Sequence, residues 1–273
     1  MPISSTDFDF VRTFVSSRAG IVLEDGKEYL VEARLQPLAQ KLGHGSISTL
    51  VETMRRTREK EVERQLIEAM TTNETSFFRD VAPFDALRQH VLPRLIEARR
   101  GARQLTFWCA AASTGQEPYS VAMLMAEHFP ELSTWQVQFI ASDLSEDVLA
   151  RARAGRYSQL EVNRGLPVQY LLKYFTRHGG SWEITPEIRR RVEFRRVNLI
   201  EAWPALPMFD LVFIRNVMIY FDVDAKRSIL SRIRQRLRPD GHLFLGAAET
   251  TLNIDAGFAR TEYERAGCYR PAA

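Results

Sequence analysis

The stretch Phe107-Trp-Cys-Ala-Ala-Ala-Ser-Thr-Gly-Gln-Glu-Pro-Tyr119 joins an apolar run to small residues, a glycine and then a helix-like segment. That order brings bare backbone close to a ligand at the mouth of a parallel sheet. Asp143 follows a second apolar run, Val137 to Ala141. A carboxylate there is placed to accept both hydroxyls of a ribose. Together the two features spell a nucleoside cofactor. The loop holds Gly115 alone and no Gly-x-Gly-x-x-Gly. With no pyrophosphate to cradle, fewer glycines are needed. The reading therefore moves from a dinucleotide, and a nicotinamide dehydrogenase, toward S-adenosyl-L-methionine (SAM).

Other residues could do chemistry beside these. Arg79 follows two phenylalanines, so it sits at the edge of an apolar cluster and can fork onto a carboxylate. Asn73 and Thr75, just before it, are turn residues that by themselves read as helix punctuation. Glu117 falls in the first turn of a helix, where a carboxylate complements the dipole. Arg215 and Asn216 end the apolar run Phe209–Ile214, where groups of doubly wound folds meet their ligands. Asn198 and Leu199 end another run, and Tyr220 lies a turn beyond Asn216. Arg55-Arg56-Thr57-Arg58 is a basic cluster; most such runs are solvated faces.

The elements that must position these groups fall into two textures. Residues 1–90 read as a small all-helical domain. Val31, Leu35, Leu38 and Leu42 form an amphipathic stripe, Gly43 stops it and Ser46 caps the next helix. Ile47, Leu50, Val51 and Met54 form a second apolar face, with Arg55 and Arg58 expected opposite it. Val62, Leu66 and Met70 form a third. Residues 91–273 read as alternating strands and helices, a doubly wound, Rossmann-like α/β domain. Expected strands are Leu105–Cys109, Val137–Ala141, Val192–Val197, Phe209–Ile214 and Leu243–Ala247. Expected helices are Glu117–His128, Glu146–Ala154 and Ala225–Leu237, with Arg238-Pro-Asp-Gly-His242 as a sharp turn. An interruption at about 157–191 reads as a small β-hairpin insertion, with its turn at Gly179-Gly180.

Composition narrows the function classes. The chain has 273 residues, 45% hydrophobic and 26% charged, an ordinary globular balance. No apolar run approaches the ~18 residues of a membrane span, and the acidic N-terminus does not read as a signal peptide. The expected location is the cytoplasm, with no membrane insertion. Cys109 and Cys268 read as buried free thiols, and no cysteine or histidine cluster has metal-ligand spacing. Net charge is +3, too small to argue for nucleic acid. Residues 1–90 carry 12 Lys/Arg against 14 Asp/Glu, so any basic feature there is local.

Five segments occur in a specific order: Asn73-Glu-Thr-Ser-Phe-Phe-Arg79, Ala112-Ser-Thr-Gly-Gln-Glu-Pro-Tyr-Ser120, Ser142-Asp143, Val197-Asn-Leu199 and Arg215-Asn-Val-Met-Ile-Tyr-Phe221. In that order the chain resembles the chemotaxis receptor methyltransferases, the CheR family, from about residue 8 to its C-terminus. The resemblance implies methyl transfer from SAM to glutamate side chains on chemoreceptors, leaving S-adenosyl-L-homocysteine, with no metal. It implies that Arg79 binds the carboxylate of the methionine moiety and Glu117 its amino group. Asp143 would hold the ribose, and Asn198 and Leu199 would line the adenine. Asn73, Thr75, Arg215 and Asn216 would complete the cofactor site, with Tyr220 nearest the transferred methyl. A carboxylate nucleophile is already ionised at neutral pH, so no general base is needed. What the enzyme must supply is alignment and removal of water.

The family's substrate is an acidic receptor helix, so the resemblance also implies receptor docking through Arg55, Arg56 and Arg58. Some members hold a peptide at the receptor's C-terminus through a longer, glycine-bearing hairpin than His178-Gly-Gly-Ser-Trp-Glu183. The short turn here predicts independence from that tether. Two rivals remain on sequence grounds. One is an RNA methyltransferase on the same fold, disfavoured by the acidic balance and the lack of interleaved aromatic and basic residues in 1–90. The other is a SAM-sensing adaptor without catalysis, disfavoured because every family position that can be placed is intact.

Overall fold

The computed structural model describes residues 3–263 and 265–272. The chain divides into two compact units. The first comprises residues up to Thr72 together with Tyr220–Ala225. It holds four helices: α1 (Ser5–Ala19), α2 (Glu28–Lys41), α3 (Ile47–Thr57) and α4 (Lys60–Met70). Helices α2, α3 and α4 turn their expected apolar stripes inward. Val31, Leu35 and Leu38 of α2, the Ile47/Leu50/Val51/Met54 face of α3, and Val62, Leu66 and Met70 of α4 form one core. Phe8, Val11 and Val15 of α1 complete it. Ser46 caps α3 by accepting from the Thr49 amide.

The second unit comprises residues 73–219 and those after Ala225. Its boundary lies at Thr72/Asn73, not near residue 90. The reason is burial. Helix α5 (Val81–Ala86), a π-helical turn (Leu87–Val91) and helix α6 (Leu92–Ala98) carry Phe84, Leu87, Val91, Leu92 and Leu95 into the core that also holds the first strand.

Seven strands form the main sheet, in the order β6-β2-β1-β7-β8-β10-β9. They are β1 (Gln104–Ala110), β2 (Gln136–Asp143), β6 (Glu193–Arg196), β7 (Phe209–Ile214), β8 (Leu237–Leu245), β9 (Phe258–Arg260) and β10 (Cys268–Pro271). The five strands from β6 to β8 run parallel, and β10 runs antiparallel to both β8 and β9. Strand order reverses beside β1. The crevice at the carboxyl ends of β1 and β7 is therefore the topological switch point, where ligands of such sheets bind. Helices α7 (Gln116–His128), α8 (Glu146–Ala154) and α12 (Val223–Arg236) connect the strands. The expected α/β layout is present as a mixed sheet. Arg238–His242 is not a free turn: it lies inside β8, where the pairing with β7 carries a bulge between Phe209 and Leu211.

The insertion is larger than a hairpin. Strands β3 (Arg156–Ser158), β4 (Phe175–His178) and β5 (Ser181–Ile184) form a three-stranded antiparallel sheet with β5 central. Short helices α9 (Gln159–Asn163), α10 (Val168–Tyr174) and α11 (Pro186–Arg189) surround it. The three residues of β3 follow directly on the Gly155 cap of α8, too short a run to show alternation in sequence. Among the described residues, no helix is long and apolar enough to cross a membrane.

Candidate active site

The loop after β1 is built on left-handed backbone. Ala111 (φ 54°), Ser113 (φ 50°) and Gly115 (φ 93°) alternate through it. Gly115 has no substitute for a second reason. A Cβ there would lie 3.0 Å from the Ala152 Cβ and 3.2 Å from the Tyr119 ring. The glycine thus lets α7 begin hard against its neighbours. Two buried tyrosines fasten the loop region. Tyr157 Oη donates to the Thr114 carbonyl at 2.8 Å, and Tyr119 Oη donates to the Ala152 carbonyl at 2.7 Å. Burial pushes Tyr157 well above its ordinary value and Tyr119 upward, so both stay protonated donors.

Asp143 ends β2 and is 8% exposed. Its Oδ2 accepts the Ser113 amide at 2.8 Å and its Oδ1 the Ser145 amide at 3.0 Å. It is not the cap of α8, because Ser145 takes that place by accepting from the Val148 amide. The carboxylate is therefore oriented by backbone amides on both of its oxygens.

Ser113 also reaches the segment that precedes α5. Its Oγ donates to the Asn73 carbonyl at 2.8 Å. Asn73 is exposed and Thr75 half-buried. Phe77 is fully buried against Tyr157 and Phe175. Gly165 admits this segment: a Cβ there would stand 2.1 Å from the Phe77 carbonyl oxygen. Arg79 is half-buried and donates Nη1 to the Glu74 carbonyl at 3.2 Å. It forms no salt bridge among the described residues, whereas Glu74 is taken by Arg164 at 2.6 Å. The Arg164 hydrogen bond holds Glu74 below the usual carboxylate range, with the Arg79 charge assisting.

Arg215 is the hub of the site. It is 5% exposed, and its Nη1 meets Glu117 Oε2 at 2.5 Å. Its Nη2 meets Asp80 Oδ2 at 2.9 Å and the Arg79 carbonyl at 3.0 Å. Its Nε is buried without a hydrogen-bond partner among the described residues. Glu117 Oε1 accepts the Cys109 thiol at 3.2 Å, and burial holds that thiol well above its ordinary value. The Arg215–Glu117 pair is buried on both sides, and such pairs are costly to break, roughly 3–5 kcal/mol when one partner is removed. Glu117 and Arg215 are thus bound to each other, with the Cys109 thiol on the second Glu117 oxygen.

Asn216 adopts φ 59° and its amide donates to Glu249 Oε2 at 2.8 Å. The same buried carboxylate accepts the Gly246 amide at 2.6 Å and the Ile219 amide at 3.3 Å. Glu249 thus ties the ends of β7 and β8 together. Asn198, 8% exposed, has its Oδ1 on the Ile200 amide at 3.2 Å. The Leu199 carbonyl accepts from Trp203 Nε1 and from Arg232. Arg232 in turn stacks 4.3 Å from the Trp203 ring. Asp80, Tyr157, Trp203, Arg232 and Glu249 were not expected as site residues from the sequence, and Ser113 was noted only as part of the Ala112–Ser120 segment. Only an N-cap signal at Asp80 stood in the sequence to draw attention to any of them.

Tyr220 ends a 3₁₀ turn, Met218–Tyr220, is half-buried, and its carbonyl accepts the Val22 amide at 2.9 Å in the helical unit. Within that same unit, α3 ends at Thr57, so Arg58 is not on the helix. It is the left-handed cap (φ 48°). Arg55, Arg56 and Arg58 are all exposed. Arg55 lies 4.7 Å from the Phe10 ring centroid, 3.6 Å from Asp7 and 3.1 Å from the Thr6 carbonyl. Arg55 and Arg58 line one cavity of about 470 Å³ with Phe10, Phe14, Arg18 and Glu63.

This chemistry matches a family. Residues 6–71 match the all-alpha domain of the CheR methyltransferases, and residues 73–266 match their SAM binding domain. The chain belongs to the CheR methyltransferase family. It is 45% identical over 259 residues to chemotaxis protein methyltransferase 1 of Pseudomonas aeruginosa, covering 93% of each chain. It is 42% identical over 254 residues to chemotaxis protein methyltransferase Cher2 of Pseudomonas putida, covering 91% of this chain and 92% of that one. A solved glycopeptide N-methyltransferase, MtfA with SAM, covers 64% of this chain and 58% of that one at 20% identity and TM-score 0.34.

Membership of the CheR family makes this a SAM-dependent methyltransferase, and the residues present suit that cofactor. Arg79 presents a guanidinium that forms no salt bridge among the described residues, and Asp143 presents a backbone-oriented carboxylate at the end of β2.

Proposed function

We propose that this protein transfers a methyl group from SAM to glutamate side chains on the cytoplasmic helices of chemotaxis receptors. The observation that carries it is the linkage of the cofactor segments. Residues 73–80 are bonded at one end to Ser113, and through it to Asp143, and at the other to Arg215, and through it to Glu117. Bound SAM supplies an electrophilic methyl on a sulfonium. Arg79 and Glu117 hold the two charged groups of its methionine moiety. Asp143 holds the ribose, while Asn198 and Leu199 line the adenine. Asn73, Thr75, Arg215 and Asn216 shape the remaining wall. Tyr220 orients the incoming carboxylate, which needs no base because it is already ionised.

The helical unit reaches the receptor through Arg55, Arg56 and Arg58, whose charge suits an acidic helix. The two Pseudomonas relatives, both chemotaxis methyltransferases, support the receptor as substrate. The test uses tritiated SAM with receptor-containing membranes. Label should enter the receptor and leave as methanol in mild base. Label stable to base, or entering RNA, would overturn the glutamate assignment.

A further inference from the structure

The segment that carries Arg79 is held in a costly backbone conformation. Phe78 (φ 47°) and Asp80 (φ 58°) flank Arg79, and both lie in the left-handed region that side chains disfavour. Such a conformation persists only where the surroundings over-determine it. Three restraints do so here. The Phe78 amide donates to Ser120 Oγ at 3.0 Å, the Arg79 carbonyl accepts from Arg215, and Asp80 pairs with Arg215 at 2.9 Å.

Asp80 is the telling member. It stands at the N-cap of α5, where an aspartate ordinarily accepts from the first-turn amides. Its side chain makes no cap hydrogen bond. The carboxylate is turned instead to the guanidinium of Arg215, 135 residues away in sequence. That guanidinium is fixed from its other side by Glu117.

We propose that Asp80 is a positioning residue for the cofactor's carboxylate: paired with Arg215, it locks the left-handed turn that aims Arg79. Asp80 acts through Arg79 and does not touch the cofactor. The proposal rests on the reading of Arg79 as the carboxylate ligand. It follows that Asp80 governs discrimination for that one group and not cofactor affinity in general.

The experiment measures binding by calorimetry of SAM and of decarboxylated SAM, which lacks only the carboxylate. The proteins are wild type, Asp80→Ala, Asp80→Asn, Arg79→Ala and the Asp80→Ala/Arg79→Ala double variant. Thermal melting of each checks the fold. Asp80→Ala should weaken SAM roughly tenfold, about the worth of one charge-assisted contact. It should leave decarboxylated SAM nearly unchanged, and Asp80→Asn should fall between. In the Arg79→Ala background the Asp80→Ala change should add nothing, because coupled residues are not additive. An equal loss for both ligands, or a full further loss in the double variant, would overturn the proposal while leaving Arg79 in its role. If Arg79→Ala alone binds SAM normally, the carboxylate reading of Arg79 fails and the proposal falls with it.

Discussion

The amide of Ser113 donates to Asp143 at 2.8 Å, joining the loop after β1 to the end of β2. One carboxylate thus shapes the loop after β1 and, in the proposed function, holds the ribose. Asp143→Ala should weaken SAM binding roughly tenfold or more, since hydrogen bonds to a charged group are worth about 1.5–3 kcal/mol each. Titration calorimetry gives the number, and unchanged affinity would remove the ribose role. Asp143→Asn should cost less, because its amide oxygen can still accept one of the two backbone amides.

Tyr220→Phe should slow methyl transfer more than it weakens SAM binding. The hydroxyl is assigned to orienting the incoming carboxylate, not to holding the cofactor. Turnover at saturating SAM and receptor is the measurement. Normal turnover would take Tyr220 out of the reaction.

Reversing Arg55 and Arg58 to Glu should raise the apparent KM for receptor and leave SAM affinity intact. Wild-type receptor methylation should also weaken as salt rises. Because Arg55 pairs with Asp7 and stacks on Phe10, the double variant should also melt slightly lower. Normal methylation at low receptor concentration would reduce the arginine cluster to a solvated surface.

The insertion should not bind the receptor's C-terminal peptide. Its β4–β5 connection is only the Gly179-Gly180 turn, which offers few backbone groups to an added strand. Titrating that peptide into the enzyme decides the point, and micromolar binding would show the loop-length argument to be mistaken.

Burial pushes His242 down to about 4, with Arg270 and Arg94 adding to the shift and Asp240 opposing it. Both ring nitrogens are buried without a partner among the described residues. The folded state therefore holds a neutral imidazole where the unfolded chain, titrating near 6.5, takes up a proton. That contribution is complete above pH 6.5 and is lost as pH falls toward about 4, by up to roughly 3 kcal/mol. Thermal melts across that window should fall with pH, and less steeply for His242→Phe. An identical slope in the variant would place the pH dependence elsewhere.

Local pattern alone determined most of the scaffold. The stripes of α2, α3 and α4 become the helical core because 3.6-residue periodicity leaves each helix one apolar face to bury. The buried strands of the parallel sheet are legible as apolar runs, and Phe209–Ile214 matches its strand end to end. The single-glycine loop after the first apolar run, with Asp143 after the second, pointed to the cofactor type. Tertiary structure decided what those residues are bonded to. Glu117 and Arg215 are 98 residues apart and Asp80 and Arg215 are 135 apart, so no local spacing announces either pair. Asp80 read alone is a helix cap, and only the buried guanidinium beside it draws its carboxylate away. Glu249 is an unremarked acid until the ends of β7 and β8 bring three backbone amides around it. Periodicity is written residue by residue, whereas a buried charge finds its partner only where the sheet's crossovers deliver one.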